Sequence, residues 1–363
     1  MSDDVRVALR DVRRIVVKVG SAALLRDTRL FRPLADEIGA LRAQGKHAIV
    51  VSSGAIALGI ERLSVPRRPT AIARLQAAAS AGQTVLMNEW QAAFDASGFT
   101  CAQILLTHSD LEDRDRYLNA RAALEALLDF GAVPVVNEND SVATDEIRFG
   151  DNDVLAAMVA TLVHADLLVL LTDVEGVLGD GGVRIPVADG EIESFITDEK
   201  SAVGSGGMRS KVDAARRASR SGVPTVIARA DPGAVARVVG GKDIGTLFLP
   251  QGTRLASRKH WIAFTLRPRG TILVDQGAVA ALVEKKRSLL PAGVLGVRGQ
   301  FEASEPVRIV GPDGVEIGRG LCRYSVADVA LLAGARTEQI GDRLGRDGGR
   351  EIVHRDDLVI LDP

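Results

Sequence analysis

Residues 133–153 read VPVVNENDSVATDEIRFGDND, and this stretch decides how the rest of the chain is interpreted. The apolar run at 133–136 is typical of a buried strand that is about to end. The polar residues NEND follow at 137–140, and GDND at 150–153 opens a predicted helix. Ligands of open α/β sheets bind outside the carboxyl ends of the strands. The two polar clusters therefore predict a binding site at such an end.

Strand and helix patterns alternate through the first two thirds of the chain. Apolar runs of strand length lie at 14–19, 47–51, 102–106, 133–136, 167–171 and 224–228. Helical spacing of apolar residues lies between them, from the turn at Gly20-Ser21 to about residue 44 and at about 71–94, 116–130, 154–162 and 211–219. This alternation predicts an α/β fold, with a mainly parallel central sheet covered by helices on both faces as a three-layer sandwich.

The texture of the sequence changes near residue 254. From Gly270 onward, short β-like runs are separated by glycine turns such as Pro312-Asp313-Gly314. Strands at this spacing predict a small β-barrel or sandwich. We therefore expect two domains, at 1–258 and at 269–363.

Composition excludes several classes of protein. Of the 363 residues, 46% are hydrophobic, and the net charge of −2 gives no global attraction to nucleic acid or to an anionic membrane. The charged amino terminus lacks the apolar core of a signal peptide, and no apolar run approaches the roughly 18 residues of a membrane span. The two cysteines form no motif, which argues against a disulfide framework or a zinc site. We expect a soluble, cytoplasmic protein.

Two lysines are candidates for binding an anion. Lys18 lies inside a strand pattern that ends in Val-Gly-Ser, so it either meets an anionic partner or points into solvent from an edge strand. Lys211 follows the glycine-rich run 204–210 at the start of a predicted helix, where backbone N–H groups favour anions, although such a run can equally be a plain loop. Together the two ammonium groups suit a phosphoryl group in transfer. Neither a P-loop motif nor a dinucleotide fingerprint is present.

The acidic cluster can serve several purposes. One carboxylate at a helix start is usually a cap, and Asp151 or Asp153 could be only that. Asp140, Asp151, Asn152 and Asp153 together exceed what capping needs. They could hold a substrate ammonium, a magnesium ion or the two lysines.

In this order, these residues resemble the amino acid kinase family, and within it the members that phosphorylate the side-chain carboxylate of L-glutamate. The segment from about Gly270 resembles the PUA domain found at the carboxyl end of many of them. The strings that carry the resemblance are IVVKVGS at 15–21, VVSSGAIALG at 50–59, LLTHSDLEDRDRYLNAR at 105–121, VPVVNENDSVAT at 133–144, FGDNDVLAA at 149–157, LLTDVEG at 170–176 and GSGGMRSK at 204–211.

The resemblance implies transfer of the γ-phosphoryl group of ATP to L-glutamate, with Mg²⁺, as the first step of proline synthesis. The catalytic residues implied are Lys18, Asp153 and Lys211. The glutamate-binding residues implied are Ser53, Asp140, Asp151 and Asn152. The ATP-binding residues implied are Lys18, Thr172, Asp173, Ser205, Gly206, Gly207, Met208, Arg209, Ser210 and Lys211. No protein side chain is assigned to the metal.

The resemblance further implies feedback inhibition by proline and a homo-oligomer. PUA domains resemble RNA-binding modules, but residues 265–363 hold 14 basic and 14 acidic side chains, so we do not expect RNA as a partner. Two other functions stay open. One is an amino acid kinase that acts on a different acceptor, and the other is an RNA-binding protein with a vestigial kinase fold.

Overall fold

The computed structural model describes residues 6–26, 30–143, 151–188, 192, 207–251, 262, 266–346 and 348–361. The chain forms two compact units. Unit 1 comprises Met1–His108 and Leu118–Thr253, and unit 2 comprises Ser109–Tyr117 and Arg254–Pro363. The predicted limits of 1–258 and 269–363 remain a prediction.

Unit 1 is built on a seven-stranded sheet with the order β3-β4-β2-β1-β5-β6-β7. The strands are β1 (Arg14–Val19), β2 (His47–Ser52), β3 (Cys101–Leu106), β4 (Val133–Glu138), β5 (Leu167–Thr172), β6 (Thr225–Arg229) and β7 (Thr246–Phe248). All neighbouring strands are parallel except β6 and β7, which are antiparallel. The predicted mainly parallel sheet is confirmed.

Helices cover this sheet on both faces. They are α1 (Ser21–Arg26), α2 (Phe31–Ala43), α3 (Ala55–Arg62), α4 (Ile72–Asp95), α6 (Arg114–Asp129) from Leu118 onward, α7 (Asp151–Leu162), α8 (Met208–Arg220) and α9 (Ala234–Val239). Helix α5 (His108–Glu112) precedes α6 in the chain and belongs mainly to unit 2. The sequence patterns did not predict α3, α5, α9 or β7, and they predicted one helix where the structure has α1 and α2. The run Ser52-Ser53-Gly54-Ala55 is typical of a turn of small residues after a strand, and α3 begins at its last residue.

Strand β1 lies in the middle of the sheet and separates two layers of helices. Val17 and Val19 point into a core formed with α2, α4 and α9. Side chains alternate along a strand, so Lys18 points to the other face. Helix α7 packs on that face against β1, β2, β4 and β5. A central strand thus carries a lysine into the layer occupied by α7 and α8.

Helices α3 and α4 cross at two glycines. A Cβ atom on Gly59 would lie 1.7 Å from the carbonyl oxygen of Ala78, and one on Gly82 would lie 1.8 Å from that of Ala55. No side chain fits between backbones this close, so both positions require glycine. The crossing fixes the position of α4, whose residue Trp90 is fully buried and donates a hydrogen bond from Nε1 to Ser52 Oγ at 3.0 Å.

Unit 2 has its own sheet and core. The sheet order is β12-β11-β10-β8-β9, with β8 (Gly270–Val274), β9 (Val294–Gly299), β10 (Pro306–Val310), β11 (Glu316–Leu321) and β12 (Leu358–Ile360). The helices are α10 (Gln276–Val283), α11 (Val326–Leu332) and α12 (Ile340–Leu344). The core is built from strand and helix side chains such as Ile272, Ile309 and Val329. The predicted small β domain is confirmed. Among the described residues, no helix is long and apolar enough to cross a membrane.

Candidate active site

Lys18 lies one residue before the end of β1, in the middle of the sheet. Lys18 is buried, with 4% exposure. The alternative of an edge lysine in solvent is therefore wrong. Gly20 follows the strand, and a Cβ atom there would lie 3.6 Å from Lys18 Nζ. The absence of a side chain at position 20 leaves space beside the ammonium group.

Asp153, in the first turn of α7, joins Lys18 to Lys211. Lys18 Nζ lies 2.5 Å from Asp153 Oδ1, and Lys211 Nζ donates a hydrogen bond to Asp153 Oδ2 at 3.3 Å. Asp153 is fully buried and Lys211 is 7% exposed. Residues far apart in sequence thus form one buried group, the lysine triad Lys18–Asp153–Lys211.

Burial and charge act against each other in the pKa values of this triad. Burial alone would raise the pKa of Asp153, but the two ammonium groups outweigh it and hold that pKa below its usual value. Burial lowers the pKa of Lys18; Asp153 opposes that decrease, and Lys211 adds to it. The shared carboxylate therefore helps to keep Lys18 charged in a buried position.

The lysine triad has a formal charge of +1 at neutral pH, since it contains two ammonium groups and one carboxylate. A buried charge is costly unless it is compensated. The triad lies at the carboxyl ends of parallel strands, which is where α/β sheets bind ligands. This arrangement suits an anion with more than one negative charge, such as a polyphosphate.

A second polar group lies at the end of β4. Asn137 is almost fully buried and donates from Nδ2 to Gln83 Oε1 at 2.8 Å. Its Oδ1 accepts from Asn152 Nδ2 at 3.1 Å. Gln83 lies on α4 and Asn152 in the first turn of α7. We call these three side chains the carboxamide chain.

Several other predicted residues lie at the carboxyl ends of strands of the same sheet. Ser53 directly follows β2, is almost buried, and donates its backbone N–H to Val19 O at 3.1 Å. Thr172 ends β5, the neighbour of β1, and donates from Oγ1 to Asp173 Oδ1 at 3.2 Å. Asp140 lies in the turn after β4 and is half-buried.

The structure describes only some of the residues that are predicted to bind ATP. Met208, Arg209 and Ser210 form the first turn of α8, which Gly207 precedes. The Ser210 hydroxyl lies 3.4 Å from Asp153 Oδ2 and donates to it, so this residue joins the lysine triad. Ser205, Gly206 and the side chain of Asp151 lie outside the described residues.

The sequence did not predict two residues of the candidate site, Asn137 and Gln83. Asn137 stands in the NEND string, which was recognised as polar but yielded only Asp140 as a site residue. Gln83 lies in an alanine-rich helix, and its sole signal was a long polar side chain next to Gly82. Nothing in local spacing indicates that this glutamine meets β4, 54 residues further on.

The described residues contain no group of three or more His, Cys, Asp or Glu side chains that could hold a metal ion. Both carboxylate oxygens of Asp153 face lysines. Mg²⁺ usually keeps several waters and binds through one or two carboxylates plus substrate phosphates. The site therefore fits a magnesium ion held mainly by a nucleotide rather than by a protein cage.

A mainly parallel sheet between two layers of helices, with a buried lysine–aspartate–lysine group at its carboxyl edge, indicates an α/β protein that binds a phosphorylated ligand. Comparison with known proteins specifies the class further. The model of the amino acid kinase family matches residues 13–229, and the model of the PUA domain matches residues 270–344. The chain belongs to the amino acid kinase family, and a PUA domain follows its kinase region.

Two relatives show how far this similarity extends. The glutamate 5-kinase of Trichlorobacter lovleyi is 49% identical over 371 residues, which cover 98% of this chain and 99% of that protein. The glutamate 5-kinase of Myxococcus xanthus is 48% identical over 370 residues, which cover 98% of each. The resemblance inferred from the sequence motifs is confirmed for both parts of the chain.

Proposed function

We propose that this protein transfers the γ-phosphoryl group of ATP to the side-chain carboxylate of L-glutamate and forms L-glutamyl 5-phosphate, the first step of proline synthesis. The observation that carries the proposal is the buried lysine triad at the carboxyl edge of the sheet. Relatives that match over nearly the whole chain bear the name of this activity.

The chemistry requires little from the protein apart from charge and position. The attacking carboxylate is already ionised at pH 7, so no general base is needed. Two anions must nevertheless approach each other, and preorganised positive charge lowers the cost of that approach. Lys18 and Lys211 supply it, and Asp153 holds the two ammonium groups at one point.

The proposal assigns the two substrates to opposite sides of β1. Strands β5 and β6 lie on one side of β1, and β2 and β4 lie on the other. The resemblance assigns Thr172, Asp173 and residues 205–211 to ATP. Ser53, Asp140, Asp151 and Asn152 are assigned to glutamate. When bound, Mg²⁺ offsets part of the phosphate charge, and the nucleotide itself supplies most of its ligands.

Three further parts of the proposal concern regulation, assembly and location. The resemblance supports proline as a feedback inhibitor and a homo-oligomer. A cytoplasmic location is supported by the two cysteines, Cys101 and Cys322, which are both buried and unpaired, as is usual in a reducing compartment.

Trapping of the acyl phosphate with hydroxylamine tests the reaction directly. We expect hydroxamate with L-glutamate and ATP, and none with N-acetylglutamate. With UMP we expect no conversion of ATP to ADP. Equal or better turnover of another acceptor would assign the chain to a different activity in the same family. Loss of all ATP turnover, with RNA bound tightly, would favour the vestigial-kinase alternative.

Lys211→Ala tests whether the lysine triad carries the chemistry. Its charge matters most where negative charge develops, so we expect kcat to fall about 100- to 1000-fold while the KM for glutamate changes little. Lys242→Ala is the control, because Lys242 lies in the loop after α9 and not in the triad, and we expect no change in kcat. Full activity of Lys211→Ala would remove Lys211 from the mechanism.

A further inference from the structure

The carboxamide chain leaves two polar atoms without a partner. Gln83 Nε2 and Asn152 Oδ1 are inaccessible to solvent, and neither has a hydrogen bond to any part of the chain that the structure describes. Buried polar atoms are almost always paired, so each unpaired one requires an explanation. Gln83 Nε2 is a donor and Asn152 Oδ1 is an acceptor, and they lie at the two ends of the carboxamide chain.

The distance between the carboxamide chain and the lysine triad suits the length of an amino acid substrate. Lys18 on β1 is in register with Val51 on β2, and Val51 is in register with Val136 on β4. Asn137 is one residue beyond Val136, toward the carboxyl edge. Two strand spacings separate β1 from β4, which is about 10 Å. An extended amino acid with a hydrogen bond at either end has a length of this order.

The two unpaired atoms, Gln83 Nε2 and Asn152 Oδ1, could form hydrogen bonds with the α-carboxylate and α-ammonium groups of an amino acid. The end that reacts must lie at the lysine triad, so the α-ammonium and α-carboxylate are directed toward β4. A carboxylate needs N–H donors, and an ammonium needs acceptors. Gln83 Nε2 can donate and Asn152 Oδ1 can accept, while Asn137 holds both carboxamides in place.

We infer that Gln83 is a specificity-determining residue, whose Nε2 donates a hydrogen bond to the α-carboxylate of the amino acid substrate. The inference rests on the proposed function, since it assigns the α-carbon end of glutamate to this part of the site. Helix α4, through Gln83, is then part of the glutamate site. Gln83 has no role at the transferring phosphoryl group, so kcat and the KM for ATP are independent of it.

Two substitutions at position 83 test the inference. Gln83→Met keeps the length of the side chain but cannot form hydrogen bonds. A hydrogen bond to a charged group is lost, so we expect the KM for L-glutamate to rise about 10- to 100-fold. Gln83→Glu can still accept from Asn137 but places a carboxylate against the substrate carboxylate. We expect its KM for glutamate to exceed that of Gln83→Met.

The comparison separates contact with substrate from a structural role. If Gln83 only positioned Asn137, Gln83→Glu would be the milder change, since it keeps that hydrogen bond. A KM for glutamate that is lower in Gln83→Glu than in Gln83→Met, or unchanged in Gln83→Met, would overturn the inference. So would a KM for ATP that rises as much as that for glutamate. If Gln83→Met does not fold, Gln83→Asn replaces it, because its shorter carboxamide cannot reach both partners.

Gln91→Met is the matched control. Gln91 is on the same helix, two turns beyond Gln83, and contacts Asp95 and Cys101. We expect its KM for glutamate to equal that of the wild type. The wild-type hydroxamate assay keeps the two proposals apart. No product in the wild type refutes the proposed function, whereas product in the wild type with unaltered Gln83 variants refutes only the role of Gln83.

Discussion

At the scale of the residue, the site depends on one carboxylate that serves two ammonium groups. Asp153 has no access to solvent, and it compensates only one of the two lysine charges. A second buried acid would neutralise the group and weaken its attraction for phosphate. The single acid instead keeps both lysines in position and leaves one positive charge for the ligand.

The pH dependence of catalysis should report this arrangement. In the proposed reaction Lys18 must be protonated to act on phosphate, and its pKa lies below the ordinary lysine value of 10.5 because the residue is buried. We therefore expect kcat to fall as the pH rises through that lowered pKa. Asp153→Asn removes the group that raises the pKa of Lys18 and leaves burial and Lys211, which both lower it. In Asp153→Asn the decrease of kcat at alkaline pH should then begin at a lower pH than in the wild type. The kcat of this variant should also be lower throughout.

The measurement is kcat between pH 7 and 10.5 for the wild type and Asp153→Asn. Asp36→Asn is a control, because Asp36 pairs with Arg32 on α2, a helix of the opposite layer. Its profile should match that of the wild type. An alkaline decrease that starts at the same pH in Asp153→Asn would show that a group other than Lys18 controls it.

Sequence could predict that Lys18, Asp153 and Lys211 lie in one site, but it could not predict all of the contacts there. Lys18 and Lys211 stood out as cations beside glycines at predicted strand and helix ends. Asp153 stood out only as one of several acids that could equally have capped a helix. The hydrogen bond from Asn137 to Gln83 could not be predicted, because it joins elements that tertiary packing alone brings together.

At the scale of the element, strand periodicity predicted the sheet well and short helices poorly. The strands of unit 1 are continuous apolar runs, typical of parallel strands buried on both faces. Helix α3 begins directly after Gly54, which has a positive φ of 116° and reads as a turn. Helix α9 has six residues, too few for a helical period to stand out. Packing rather than local pattern stabilises both.

The crossing of α3 and α4 is expected to be intolerant of any side chain. Gly82→Ala would place a methyl group 1.8 Å from the carbonyl oxygen of Ala55, so the helices must separate. Overpacking typically costs 1–3 kcal/mol, and here backbone rather than a flexible side chain must move. We expect the free energy of unfolding to fall by about 3 kcal/mol or more. Gln83 is the next residue on α4, so the KM for glutamate should rise as well.

Urea unfolding followed by tryptophan fluorescence measures this change, since Trp90 lies on the same helix. Gly341→Ala is the control. Gly341 is also in a helix, but a Cβ atom there would meet nothing within 4 Å. Alanine is favoured over glycine in a helix by about 0.5–1 kcal/mol, so this variant should be as stable as the wild type or slightly more stable. Equal stability of Gly82→Ala and the wild type would contradict the tight crossing.

At the scale of the whole molecule, sequence predicted two domains but could not predict how the chain is shared between the two units. Residues 109–117 group with unit 2, although they precede its main segment by more than a hundred residues. Within that unit, Arg269 Nη2 lies 2.9 Å from Asp113 Oδ2, and Arg267 Nε lies 2.9 Å from Glu112 Oε2. Contacts at such separations have no signature in hydrophobic periodicity. The change of sequence pattern near residue 254 therefore indicates that two domains exist, but it does not show which unit each segment belongs to.

Charge at this scale predicts how the protein responds to RNA. Binding of nucleic acid without sequence preference depends on a basic excess that releases counterions from the phosphates. The chain has a net charge of −2, and residues 265–363 carry equal numbers of basic and acidic side chains. The basic run 285–287 is the strongest local exception.

In fluorescence anisotropy with a labelled single-stranded RNA of about 20 nucleotides, we expect no saturable binding below roughly 10⁻⁴ M at physiological salt. We expect the same flat titration from Lys285→Glu/Lys286→Glu/Arg287→Glu. Micromolar binding that weakens steeply with salt, and that this triple variant abolishes, would show that the domain binds RNA through a local basic patch despite its neutral total.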